Sequence, residues 1–167
     1  KDGAWDGGAM TSDPNVVINE CAGILQYCQE IFEGLKAYTT EDGSIVTFRP
    51  DLNAERMMNS ASRLEMPPFP KERFLEAVDQ VVRANAAWVP PYGSGATFYL
   101  RPYMFASGPV IGVKPSQEYQ FRLFGTPVGP YFKGGAKPIT ICVSDFDRAA
   151  PHGTGHVKAG LNYAMSL

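Results

Sequence analysis

An α+β fold is predicted by three features of this 167-residue chain: period-two runs of aromatic and β-favouring residues, two segments with helical apolar stripes, and a dense Pro/Gly stretch dividing them from the C-terminal remainder. The expected arrangement is a small domain over residues 1–126, with a mixed or antiparallel sheet and two packed helices. A connector over 127–136 and the start of a second, larger domain over 137–167 complete it. With 44% hydrophobic residues, a chain of this length buries roughly 70% of its unfolded surface.

The elements come in order. From Ile31 to Tyr38, Phe32, Gly34, Lys36 and Tyr38 alternate with Glu33, Leu35 and Ala37, which predicts a strand with two distinct faces. Glu41-Asp42-Gly43-Ser44 is a hairpin signal leading into a strand from Ile45 to Phe48. Pro50-Asp51 ends that strand. Asp51 is expected to accept hydrogen bonds from the first turn of a helix whose apolar stripe is Ala54, Met57, Met58, Ala61 and Leu64. A second helix starts after Pro70, with Phe74, Val78, Val81 and Val82 inward and Lys71, Glu72, Glu76 and Asp79 outward. After a loop from Trp88 to Ala96, strands are predicted over Thr97–Phe105 and Glu118–Gly125. Pro127 to Gly135 reads as the connector. Lys137 to Phe146 reads as a new strand with Ile139, Ile141 and Val143 on one face, an open edge that predicts self-association, or disorder from about Pro151 onward.

Charge and cysteine usage narrow the function classes. A net charge of -2 offers no polybasic face for nucleic acid or an anionic membrane. No run approaches the ~18–20 apolar residues of a membrane span. Cys21, Cys28 and Cys142 are odd in number and lack metal-ligand spacing, which fits reduced thiols in a cytoplasmic protein. His152 and His156 are four apart, but Gly153 and Gly155 argue against a helix there, and no carboxylate or cysteine lies nearby to complete a metal site.

The segment most suggestive of chemistry is Gly153-Thr154-Gly155-His156-Val157-Lys158-Ala159-Gly160-Leu161-Asn162-Tyr163. A lysine held among small residues has few water partners, so its neutral amine becomes a usable nucleophile, as a Schiff-base lysine requires. Strand geometry puts Tyr99 and Arg101 on one face, where a phenol beside a guanidinium makes a grip for a carboxylate; an ordinary exposed strand face is the alternative. Arg56 is placed to meet an anion from the polar side of its helix, or to be a solvated charge. Arg148 closes a strand-like run where ligands often bind, or is a surface charge.

Six segments together carry a resemblance: Phe32-Glu33-Gly34-Leu35-Lys36-Ala37-Tyr38, Phe48-Arg49-Pro50-Asp51, Asn53-Ala54-Glu55-Arg56-Met57, Tyr99-Leu100-Arg101-Pro102, Arg148-Ala149-Ala150-Pro151 and Lys158-Ala159-Gly160-Leu161-Asn162-Tyr163. From about Tyr27 to the end the chain resembles the branched-chain aminotransferases, pyridoxal-phosphate enzymes of fold type IV. It reads as their front half, with the acidic partner of the pyridine nitrogen and most phosphate-binding loops expected beyond Leu167.

The resemblance implies roles. Lys158 is expected to hold pyridoxal 5′-phosphate and to shuttle a proton between substrate Cα and cofactor. Tyr163 is expected at the cofactor's phenolic oxygen, Arg56 at its phosphate, and Arg148 as a second phosphate-side contact. Gly34, Tyr99 and Arg101 fall among the substrate-side residues, while Phe32, Tyr27 and Tyr131 match aromatic walls around an aliphatic side chain. The loop Gly112-Val113-Lys114 is expected to reach a neighbour's site in a homodimer. Leu161 stands where the family usually has glycine, so its backbone must avoid a φ that only glycine tolerates. The implied reaction is amino exchange between Leu, Ile or Val and 2-oxoglutarate/glutamate, with this chain inactive alone. A D-amino-acid aminotransferase, an aminodeoxychorismate lyase, or a silent dimerisation module are the alternatives.

Overall fold

The computed structural model describes residues 3–132, 134–135, 137–148 and 152–167. In chain order the elements are α1 (Gly23–Tyr27), β1 (Glu30–Phe32), β2 (Leu35–Thr39), β3 (Ile45–Thr47), α2 (Pro50–Arg63), α3 (Lys71–Ala84), β4 (Thr97–Ala106), β5 (Tyr119–Val128) and α4 (Leu161–Ala164). Strand β4 organises the sheet. One edge pairs along its whole length with β5, and the other carries β1 and β2 end to end, with β3 outside β2. Every pairing is antiparallel.

The run expected as one strand from Ile31 to Tyr38 is therefore two. Both halves lie along the same edge of β4, and the Glu33 amide still donates to the Pro102 carbonyl at 2.7 Å, but regular pairing lapses at Glu33-Gly34. The alternation survives the break: Ile31, Glu33, Leu35 and Ala37 are buried, whereas Phe32 and Gly34 are half-buried and Lys36 and Tyr38 exposed.

Helix α2 begins differently from expectation. Pro50 occupies its first turn, where a missing N–H costs nothing, so Asp51 is already inside the helix and caps no amide with its side chain. Arg49 is the capping residue, at a left-handed φ of 48°, and Asp51 instead pairs with it at 2.7 Å. That ion pair holds the Asp51 carboxyl down at about 2.

Packing follows the predicted stripes. Ala54, Met57 and Ala61 of α2 and Phe74 and Val78 of α3 join Ile31, Leu35, Ala37, Phe98, Leu100 and Met104 in one core, with Met58 and Leu64 partly buried at its rim. Each large side chain enclosed there contributes about 1.5–3 kcal/mol. Phe69 stacks on Phe121 at 3.8 Å between ring centres, and Trp5 closes that end edge-on. One layer of helices thus covers one face of the sheet. The other face presents Phe32, Tyr99, Arg101 and Tyr103.

The expected strand from Lys137 to Phe146 does not form. A strand exists through its ladder, and no described residue pairs with this run, whose Ile141 and Val143 are 81% and 100% exposed. From His152 the chain returns to the sheet rather than becoming disordered, and Ala159 bridges to Ile31. Lys133, Ala136 and the Ala149-Ala150-Pro151 segment after Arg148 lie outside the described residues. No helix among the described residues is long and apolar enough to cross a membrane.

Candidate active site

Lys158 is held by its main chain. Its amide donates to the Ser60 hydroxyl on α2 at 3.0 Å, and its carbonyl accepts from the Phe32 amide on β1 at 3.1 Å. Neighbouring Val157 and Ala159 are buried. The turn before them is fastened by Asn162, 1% exposed, whose side-chain amide donates to the carbonyls of Thr154 (2.7 Å) and Val157 (2.9 Å) and accepts from the Thr154 hydroxyl. Leu161 begins α4 without a positive φ, so the departure from glycine there is accommodated. Gly160 lets the Glu30 carboxylate pack against its Cα, since a Cβ there would displace that side chain.

The side chain of Lys158 meets aromatic surfaces rather than the enclosing small residues expected from the sequence. It is half-buried, with its amine 3.0 Å from the Tyr163 hydroxyl, to which it donates, and 4.4 Å from the centre of the Phe32 ring. Phe32 and Tyr163 meet edge to face at 4.9 Å. The Arg101 guanidinium lies 4.5 Å from the same Phe32 ring and donates through Nε and Nη2 to the Tyr99 hydroxyl at 3.0 and 2.9 Å. The Tyr99 hydroxyl sits so close over Gly34 that a Cβ there would approach to 2.5 Å. Lys158, Tyr163, Phe32, Arg101, Tyr99 and Gly34 thus form one continuous surface.

Arg56 reaches that surface through a residue to which the sequence pattern assigns no role. Its Nε and Nη2 donate to the two carboxylate oxygens of Glu33, each at 2.7 Å, and Asn53 donates to the same carboxylate at 2.8 Å. Glu33 is fully buried while the Arg56 side chain is 54% exposed. Bonding to Glu33 first, then its charge, keeps the guanidinium's pKa raised; the Tyr163 side contributes a little in the same direction. The signal for Glu33 is in the alternation: a carboxylate on the same strand face as Leu35 and Ala37 needs a cation. Ser60 is a second such residue, falling at core spacing between Met57 and Ala61.

Arg148 donates to the Asn162 carbonyl at 3.0 Å and lies 5.4 Å from the Tyr163 ring. Three candidates stand elsewhere. The Tyr27 hydroxyl accepts from the Gly112 amide at 2.7 Å, tying down a loop on which Val113 is 95% exposed. Tyr131 is 93% exposed and meets Phe132.

No family model matches the chain. Among curated proteins it is 54% identical, over all of its length, to a branched-chain-amino-acid aminotransferase of Haemophilus influenzae, of which it spans 49%. It is 48% identical to the chloroplastic branched-chain-amino-acid aminotransferase 5 of Arabidopsis thaliana, spanning 40% of that protein. Among solved structures, the T.th. branched-chain amino acid aminotransferase with pyridoxamine 5′-phosphate superposes with a TM-score of 0.76 at 27% identity, over 97% of this chain and 52% of that one. The Escherichia coli branched-chain amino acid aminotransferase gives 0.68 at 26% identity, over 90% of this chain and 48% of its own. The chain spans about half the length of the relatives it matches, and over its whole length it corresponds to the N-terminal half of branched-chain-amino-acid aminotransferases.

Proposed function

We propose that the complete protein carrying this chain is a pyridoxal-phosphate-dependent aminotransferase exchanging amino groups between Leu, Ile or Val and 2-oxoglutarate/glutamate. The observation that carries this reading is the Lys158 amine, 3.0 Å from a phenol and 4.4 Å from the Phe32 ring, which also meets the Arg101 guanidinium. Solved relatives are described with pyridoxamine 5′-phosphate, N-(5′-phosphopyridoxyl)-L-glutamate and 4-methylvaleric acid, matching a cofactor, a dicarboxylate and a branched aliphatic acid.

The residues present fit such a cofactor: an amine, a phenol and a guanidinium belong to one connected surface. Pyridoxal phosphate supplies an electrophilic carbon and an electron-accepting ring when bound. Lys158 Nζ would hold the cofactor and would carry the proton to and from substrate Cα. Tyr163, already accepting from Nζ, keeps its own O–H to donate to the cofactor's phenolic oxygen. Arg56, fastened along one edge by Glu33, retains Nη1 for the phosphate, and Arg148, 5.4 Å from the Tyr163 ring, is assigned a second phosphate contact. Arg101 and Tyr99 orient a substrate carboxylate. Phe32 and Gly34 shape the aliphatic pocket on this surface; Tyr27 and Tyr131, which stand elsewhere in this chain, are assigned to its outer aromatic walls, and Val113 to the neighbour's pocket. An apolar pocket admits Leu, Ile and Val together because one methylene changes binding by about 1–3 kcal/mol.

A homodimer, in which the exposed Gly112–Lys114 loop completes the neighbour's pocket, is part of the proposal, as is a cytoplasmic location where Cys21, Cys28 and Cys142 stay free. The chain alone is proposed to be inactive, because about half of each relative lies outside the match. The test is a visible spectrum of the full-length protein with pyridoxal phosphate before and after borohydride, with mass spectrometry of the Lys158 peptide. Trapping on Lys158, followed by turnover of Leu, Ile and Val, is expected; a folded full-length protein that traps nothing there overturns the reading.

A further inference from the structure

Helix α2 carries two polar groups that reach the candidate site from positions one turn apart, Arg56 and Ser60. Their spacing along the axis is about 6 Å. Ser60 is 1% exposed among Met57, Ala61 and the sheet, a position where an apolar side chain would serve packing better. Its hydroxyl accepts the Lys158 amide across 98 positions of sequence. The Lys158 carbonyl goes to Phe32, and the next residue, Glu33, holds Arg56. The contacts close a ring: Ser60, Lys158, Phe32, Glu33, Arg56 and back along one turn of α2.

We propose that Ser60 is a positioning residue for Lys158, fixing the lysine main chain at a set distance from Arg56, so that α2 gauges the separation between the amine end and the phosphate end of the cofactor site. The proposal rests on the pyridoxal-phosphate reading for its purpose, and on the Ser60–Lys158 hydrogen bond for its substance. Both main-chain polar groups of Lys158 are committed to the fold, while its amine meets the Tyr163 hydroxyl and the Phe32 ring, the surface on which the cofactor would sit. A lysine that must attach and release needs a fixed base and a mobile amine. Replacing Ser60 by Ala removes the acceptor, and the Lys158 amide loses its partner in a nearly closed location.

The experiment compares wild type, Ser60→Ala and Arg56→Gln in the full-length protein with two probes. Pyridoxal phosphate engages both ends of the site; pyridoxine 5′-phosphate keeps the phosphate and phenolic contacts but, having no aldehyde, cannot attach to Lys158. Ser60→Ala is expected to weaken capture of pyridoxal phosphate about tenfold while leaving pyridoxine 5′-phosphate affinity unchanged. Arg56→Gln is expected to weaken both. Hydrogen exchange supplies a readout independent of any ligand: the Lys158 amide is expected to exchange about tenfold faster in Ser60→Ala, with the amides of Phe74 and Val78 unchanged. Equal losses for both probes, accompanied by faster exchange at Phe74 and Val78, would mean a general structural role and overturn the proposal. So would an unchanged Lys158 amide. Should wild type bind neither probe, the cofactor reading fails, and exchange at Lys158 alone decides whether Ser60 holds that main chain.

Discussion

The Phe32 ring meets two nitrogen groups of the candidate site: its centre is 4.4 Å from the Lys158 amine and 4.5 Å from the Arg101 guanidinium carbon. One aromatic side chain thereby keeps the amine end and the carboxylate-binding end in fixed relation without an intervening anion. Two contacts of this kind are each worth about 0.5–2 kcal/mol when partly desolvated. Phe32→Leu in the full-length protein is expected to lower kcat/KM for Leu by about tenfold to a hundredfold, with a small change in melting temperature because Phe32 is outside the main core. Steady-state kinetics beside a thermal melt check this; a loss of stability that accounts for the whole effect would refute it.

Gly34 gives a sharper test of the substrate side. A methyl group there would stand 2.5 Å from the Tyr99 hydroxyl, which is held in turn by both Arg101 contacts. Gly34→Ala is expected to push Tyr99 aside and raise KM for the amino-acid substrate several-fold more than it lowers kcat. Adding Tyr99→Phe removes the clashing oxygen, so the double variant is expected to be no worse than Tyr99→Phe alone. Non-additivity of that sign places the Gly34 effect on Tyr99.

Glu33 is fully buried with Arg56, Asn53 and the Gly34 amide directed at it. Removing its charge by Glu33→Gln leaves those donors short of an acceptor and unties Arg56. Because Arg56 is 54% exposed, water recovers part of the loss, and the expected cost is about 1–3 kcal/mol of folding stability. Affinity for pyridoxal phosphate is expected to fall while affinity for pyridoxal, which has no phosphate, stays level. Urea denaturation and two binding titrations measure these separately.

How much of this was legible before the structure depends on what each signal reports. Periodicity reports which residues share a face, and it placed both long helices and set Leu35 and Ala37 apart from Phe32, and Phe98 and Leu100 apart from Tyr99 and Arg101; the structure buries the first member of each division. It does not report pairing. The Lys137–Phe146 run has strand composition and no ladder, and the Ile31–Tyr38 run is cut at Glu33-Gly34, where the residue opposite Glu33 in the same register is Pro102, which has no amide to donate. The left-handed start of α2 at Arg49 left no trace, since only glycine advertises a positive φ. At the site, strand geometry was enough to join Tyr99 to Arg101, two positions apart. Ser60 and Glu33 act through partners 98 and 23 positions away. A polar residue in an apolar stripe announces that it has a partner, without saying which.

Glu30 supplies the last expectation, a dependence of stability on pH. Its carboxyl is partly buried beside Gly160, and burial first, opposed by the Arg101 charge, raises its pKa above the usual 4.5. The folded state therefore holds that proton more tightly than the unfolded chain. Between 4.5 and the raised folded value the native protein carries more bound protons, so stability declines as pH rises through this window and stays lower above it. This is opposite in sign to Asp51, whose carboxyl at about 2 contributes stability that is lost only as pH falls below its usual value. Glu30→Gln is isosteric and cannot ionise, so it is expected to remove the decline and to raise stability near neutral pH while leaving the Asp51 limb intact. Denaturant midpoints of both proteins at a series of pH values from about 3 to 8 would show parallel acid limbs and diverging neutral ones; parallel curves throughout would mean that Glu30 ionises as freely in the fold as outside it.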